Sequence, residues 1–341
     1  MRKQRVFRQE RKAACVFLRV LSLLLLFSLV CSLFACAPQY KKINGYGMGS
    51  YAVFTVEDER IAPSLIAALA TAENDISHRV ATSAVAALNR GETVVLPASL
   101  VALLETAAAI GEKTNGRFSV FSLPETSLWD FDASSPVPPA AADIAKAVGE
   151  TAGARLLPLS EGRYLLEGGG IDLGAVGKGY ATDALARLLA LDGQSGIIAV
   201  GGSIAAVGEK QGGFKIGVRD PFSTSREVLL GVLTLSNGFV STSGSYEKRF
   251  THEGRDYHHI LDAQTGLPVQ SGLVSVTVLA DSGALADMLS TAAFILGLSE
   301  GFALLEQYGA KGIFVTEKGE VYASSALSDS FRLTKGEVQY R

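Results

Sequence analysis

The sequence predicts an α+β fold with mixed or antiparallel sheets and packed helices. Three observations carry this: helical spacing of apolar residues in the first half, short β-like runs from Leu165 onward, and hairpin-length connections between most of those runs. The spacing predicts a helix over 63–75, where Leu65, Ile66, Leu69 and Ala72 share a face that Ile76 continues. A second helix is predicted over 97–114 from Leu100, Leu103, Leu104, Ala107 and Ile110, and both have a proline near the start, where its missing N–H costs nothing. A turn-rich loop over 132–139 precedes a third helix over 140–149. Strands are expected at 197–200, 214–218, 228–235, 246–251, 257–261 and 273–280. The last alternates Val274, Val276 and Val278 with Ser275 and Thr277. Helical patterns at 180–191 and 284–296 interrupt the strands.

With 48% hydrophobic and 19% charged residues, the 341-residue chain has ample material for a core. Its formal net charge of −3 offers no basic footprint, which argues against a nucleic-acid partner. The basic stretch Met1 to Lys12 and the apolar run Val20 to Val30 predict a signal peptide over 1–35. Leu33-Phe-Ala-Cys36 resembles a bacterial lipobox, so Cys36 is the expected lipidation site; the alternative is an uncleaved N-terminal helix. Either reading places the following domain outside the cytoplasm, at the membrane. Residues 36–44 are then expected to be a tether and 45–335 one catalytic domain. The cysteines, Cys15, Cys31 and Cys36, all fall in the leader or directly at its end, so the domain has neither a disulfide framework nor a cysteine zinc site.

Four stretches have the residue types that chemistry needs. Asp172-Leu-Gly-Ala-Val-Gly-Lys-Gly-Tyr180 follows a β-like run and opens a helix, a place where backbone N–H groups and Lys178 can meet phosphate. It is not a P-loop, because Gly179 stands where the metal-binding Ser or Thr is required. Asp287 and Thr291, four apart on a predicted helix, share a face; they suit either Mg²⁺ bound with phosphate oxygens or an ordinary solvated helix face. His258 and His259 are adjacent on a predicted strand, so only one can face a given site. The run Thr242-Ser-Gly-Ser-Tyr246 offers hydroxyls without any hydrolase serine pattern.

Together and in this order, these stretches resemble the ApbE family of FAD:protein FMN transferases over roughly Gly45 to Leu333. The resemblance is carried by Tyr46-Gly-Met-Gly-Ser50, Asp172 to Ala181, Ser241-Thr-Ser-Gly-Ser-Tyr246, His259-Ile-Leu-Asp-Ala-Gln-Thr-Gly-Leu-Pro268, and Ser275-Val-Thr-Val278 leading to Asp287 through Thr291. It implies an ApbE-like, T-fold-like single catalytic unit that uses Mg²⁺ and takes FAD as substrate. It further implies Met48, Asp172, Lys178 and Ile260 at the flavin, and metal ligands at Ala175 (backbone carbonyl), Asp287, Ser290 and Thr291. His259 is the expected base and Asp287 the second catalytic group. The implied partner is an exported acceptor protein with a Ser/Thr flavinylation motif, expected to be a membrane redox subunit. This chain lacks the family's target motif and is expected to act in trans.

The sequence also departs from the family pattern. Ser119, Phe121 and Leu123 stand where Asp, Thr and Gly are usual, Ser203 replaces a common Asp or Asn, and Ala263 replaces a proline. These changes fall near the expected flavin pocket and leave two rival readings: an FAD pyrophosphatase of the same fold, and a non-catalytic flavin-binding lipoprotein.

Overall fold

Strand Leu273–Ala280 forms over the residues its alternation predicts, and it runs through the middle of a nine-stranded sheet. The structure is a computed structural model that describes residues 39–341; the expected signal peptide and Cys36 lie outside the described residues. The sheet comprises β1 (Lys41–Gly47), β2 (Ser50–Val56), β3 (Gly196–Val200), β4 (Ser203–Val207), β5 (Gly238–Gly244), β6 (Leu273–Ala280), β7 (Lys311–Thr316), β8 (Val321–Ala323) and β9 (Val338–Tyr340). Once the smaller sheets are set aside, spatial order follows chain order. Every neighbouring pair is antiparallel except β8 with β9.

Five helices matter for the site: α1 (Ala62–Ile76), α2 (Ala98–Lys113), α3 (Gly177–Leu191), α4 (Gly283–Leu296) and α5 (Leu298–Gln307). The apolar face predicted for α2 is the face it buries, and α1 buries Leu65, Leu69, Ala72 and Ile76 while Ile66, also expected there, is exposed. Leu65 and Leu69 of α1 join Leu185 and Leu189 of α3 over Phe54, Ile198, Val200 and Ala205 of the sheet. Leu100 and Leu104 of α2 join Leu289 and Phe294 of α4 over Val276, Val278 and Phe314. On β7, Ile313 and Val315 are buried as well as Phe314, so both faces of the sheet are covered there. The remaining strands form small antiparallel sheets, among them a hairpin of Arg249–His252 with Arg255–His258. The mixed, largely antiparallel α+β expectation holds.

Helices α3 and α4 cross at two glycines. A Cβ on Gly179 would lie 2.1 Å from the Gly283 carbonyl oxygen, so only glycine permits this approach. Asp183 of α3 then accepts the Gly283 and Ala284 N–H groups at 2.6 and 2.9 Å, satisfying two of the donors left open at the start of α4.

Several boundaries need correction. The tether expected over 36–44 is strand from Lys41 onward, because Lys41 through Asn44 pair with Val56 through Val53 and Ile43 packs on the core. The domain does not stop at 335: Val338, Gln339 and Tyr340 pair with Val321, Tyr322 and Ala323. Residues Lys41 to Arg341 form one compact unit. The strand expected at 246–251 starts instead at Arg249, after a turn, and β5 is a strand whose polar sequence does not announce one. Among the described residues no helix is long and apolar enough to cross a membrane.

Candidate active site

Helix α4 and strand β5 form one wall. Asp287 is 2% exposed, and each of its carboxylate oxygens has a partner: Oδ1 accepts from Ser241 Oγ at 2.6 Å, and Oδ2 accepts from the Gly179 N–H at 3.0 Å. Lys178 Nζ lies 3.7 Å from Oδ2 and donates to the Gly174 carbonyl at 3.3 Å. One turn along α4, Ser290 Oγ and Thr291 Oγ1 lie 2.8 and 2.9 Å from Ser243 Oγ, and Ser290 also donates to the Asp287 carbonyl. The solvated-face reading of the Asp287 and Thr291 pair is therefore excluded: Asp287 is buried against β5.

The loop over 172–176 and the first turn of α3 form the floor. Asp172 Oδ1 accepts from the Gly174 N–H at 2.8 Å, Oδ2 accepts from Thr126 Oγ1 at 2.7 Å, and His78 Nδ1 stands 3.7 Å from Oδ1. The Gly179 N–H, which in a regular helix would be donated to Ala175, goes to Asp287 instead. No hydrogen bond among the described residues ends on the Ala175 carbonyl. Met48 and Gly49 form a two-residue turn between β1 and β2, both at positive φ (55° and 66°), the geometry of a type I′ hairpin. A positive φ is costly for methionine and is kept where packing overrides it. Here Met48 Cε sits 2.8 Å from where a Cβ on Gly177 would be. A Cβ on Gly201 would likewise lie 2.8 Å from Ser50 Oγ and 3.1 Å from Lys178 Cδ, so the hairpin tip, the β3–β4 turn and the lysine converge.

The third wall holds the histidines, which divide as adjacent strand residues should. His258 Nε2 contacts the Val269 carbonyl at 2.9 Å and its ring meets Phe294 edge-on. His259 is solvent-reachable yet closely surrounded by protein. Burial first, and then the Lys178 charge, lower its pKa to about 4, so the imidazole is neutral at pH 7. Its Nδ1 lies 3.4 Å from the Lys248 carbonyl, a long contact, and its ring meets Phe131 edge-on within a cluster of Trp129, Phe131, Phe250 and Tyr257. Ile260 stands behind this wall. Its side chain is in the core, its N–H faces His258 Nδ1 at 3.3 Å and its carbonyl accepts from Val269.

The substituted positions divide between two places. Ser119, Phe121 and Leu123 lie on a segment that runs beside residues 169–172, where the Leu123 N–H is donated to Gly170, the Asp172 N–H to Val120, and the Phe121 side chain is buried. Ser203 is fully buried beneath Asp287, 2.9 Å from Ser241 Oγ, and does not line an open pocket. Among the described residues no three His, Cys, Asp or Glu side chains cluster as a metal site. Any cation here would have one carboxylate, hydroxyls and the free Ala175 carbonyl, a hard-oxygen set that suits Mg²⁺ completed by substrate phosphates. Residue typing assigned no role to His78, Thr126, Ser241 or Ser243. Only the last two carried a signal, the hydroxyl-rich run 241–245.

The chain is similar to known proteins in sequence and in fold. The ApbE family model matches residues 48–314. An FAD:protein FMN transferase of Treponema pallidum is 31% identical, over 94% of this chain and 97% of that one. Another from Klebsiella pneumoniae is 31% identical over 69% of each. Among solved structures, the ApbE protein of Thermotoga maritima superposes with a TM-score of 0.76 at 28% identity, covering 84% of this chain and 98% of that one. The flavinyl transferase ApbE of Pseudomonas stutzeri gives 0.72 at 26%, covering 87% and 98%.

Proposed function

The chain belongs to the ApbE family, and from that premise we propose that it is an FAD:protein FMN transferase, moving FMN from FAD to a threonine or serine hydroxyl of another protein with release of AMP. The observation that carries the reading is the buried Asp287 carboxylate, held by Ser241 and the Gly179 N–H with Lys178 Nζ 3.7 Å away. Asp287, Thr291, Ser290 and the Ala175 carbonyl would hold Mg²⁺, which when bound supplies charge neutralisation at the pyrophosphate. Lys178 offers a second positive charge to the same phosphates. Met48 and Asp172 border the space for the flavin nucleotide.

His259 is the base. A carbonyl only accepts, so the contact with Lys248 places the imidazole proton on Nδ1 and leaves Nε2 free. The acceptor hydroxyl gives its proton to Nε2, and its oxygen bonds to the FMN phosphorus. The bond from that phosphorus to the bridging oxygen breaks, and AMP departs with the electron pair. The basic and apolar leader and the lipobox-like Cys36 support a further part of the proposal, that the reaction takes place outside the cytoplasm on a lipid anchor, with exported redox proteins as acceptors.

The test is flavin fluorescence on a denaturing gel after the full chain is incubated with FAD, Mg²⁺ and an exported acceptor domain. A fluorescent acceptor band that EDTA abolishes is expected. AMP release with no labelled protein would transfer the assignment to a pyrophosphatase, and neither product would leave a flavin-binding lipoprotein.

A further inference from the structure

We propose that Ser241 is a positioning residue for the Asp287 carboxylate and that Ser203 holds Ser241 in turn; this rests on the proposed Mg²⁺ site. Two residues along a strand advance about 6.6 Å and four along a helix about 6.0 Å. Ser241 and Ser243 on β5 can therefore meet Asp287 and Thr291 on α4 as two matched rungs, and both contacts form, at 2.6 and 2.9 Å.

The hydrogen-bond directions follow from chemistry. Ser241 commits its one proton to Asp287 Oδ1, so in the 2.9 Å contact between Ser203 and Ser241 the proton comes from Ser203. The two serines are directly opposed across β4 and β5. Both are fully buried on a sheet face otherwise lined by Ala205, Val207 and Phe239. Hydroxyls placed there carry a desolvation cost unless bonded, and their bonds lead to one place, Asp287. Thr242, on the opposite face of the same strand, pairs instead with Thr277 at 2.8 Å. With Ser241 removed, Gly179 and Lys178 would hold only Oδ2, leaving Oδ1 free to turn away from a cation.

Groups that orient metal ligands commonly change affinity by about 10- to 100-fold when removed. The test titrates Mg²⁺ against the melting temperature of the full chain at fixed FAD. Ser241→Ala should raise the half-saturating Mg²⁺ concentration about tenfold or more, Ser203→Ala by a smaller factor. Ser241→Thr, which keeps the hydroxyl, should restore it, and Thr242→Val should leave it unchanged. Ser241→Ala titrating like wild type, or Thr242→Val shifting the titration as far as Ser241→Ala, would overturn the assignment. If Ser241→Ala does not fold, Ser203→Ala decides: a shifted titration with an unchanged metal-free melting temperature supports the relay, and an unshifted one refutes it. Absence of any Mg²⁺ response in wild type is a separate result, which would remove the metal site and this inference together.

Discussion

On the α4 wall Asp287 and Ser290 are buried, Thr291 is partly so, and each is held: both oxygens of Asp287 have donors, and Ser290 and Thr291 share Ser243. On the histidine wall, His259 is solvent-reachable and held by its backbone and one long ring contact to Lys248. The contrast fits the roles proposed for the two walls. A cation and a pyrophosphate are the same in every turnover, so their ligands gain from being fixed in advance. The protein acceptor must enter and leave, and the group that takes its proton has to stay reachable.

This contrast can be broken by mutation, and the largest effect belongs to the fixed wall. Asp287→Ala should reduce turnover by about a thousandfold or more, since it removes the only carboxylate of the cation site. Its cost in stability should be limited to about 1–3 kcal/mol for each of the two groups left unpaired, the Ser241 hydroxyl and the Gly179 N–H. Parallel kinetics and thermal melts would show the split. His259→Ala should lower the transfer rate by about 10²- to 10⁴-fold while leaving FAD affinity near wild type, as measured by equilibrium binding. An equal loss in affinity would place His259 on the nucleotide instead of the acceptor.

Smaller effects sharpen the same comparison. Because His259 titrates at about 4 in the folded protein and near 6.5 unfolded, the unfolded chain binds more protons between those values. Its contribution to stability is thus complete above pH 6.5 and declines as pH falls toward 4. The transfer rate should stay level from pH 7 to 5 and fall as His259 protonates near 4, and His259→Ala should flatten the melting-temperature profile over the same interval. Smallest of all, Trp129→Phe removes the 3.0 Å bond from Nε1 to the Gly266 carbonyl and should cost about 1 kcal/mol, with little change in Mg²⁺ dependence.

The parts of this molecule that were legible in the sequence are those whose burial is apolar and periodic. Helices α1 and α2 and strand β6 form where Leu65 and Leu69, Leu100 and Leu104, and Val276 and Val278 place them. Strand β5 was hidden because its inward residues Ser241 and Ser243 are buried by hydrogen bonding to α4, which leaves no hydrophobic alternation. β1 was hidden because Lys42 and Asn44 face away from the core, Lys41 is exposed at the strand's start, and Ile43 alone signals the inner face. In the site, the resemblance supplied Asp287, Lys178 and His259. His78 and Thr126 reach Asp172 from distant segments, and no local pattern marks either. The substitution at Ser203 reads as a lost pocket residue in one dimension and as the base of a buried relay in three.

The most direct test of the account is intact-mass spectrometry of an acceptor domain after a single turnover with the full chain, FAD and Mg²⁺, run in parallel for wild type, Asp287→Ala and His259→Ala. The account predicts that the wild-type reaction adds the mass of one FMN residue to a single threonine or serine, and that neither variant does so on that timescale. An acceptor labelled equally by all three would contradict it.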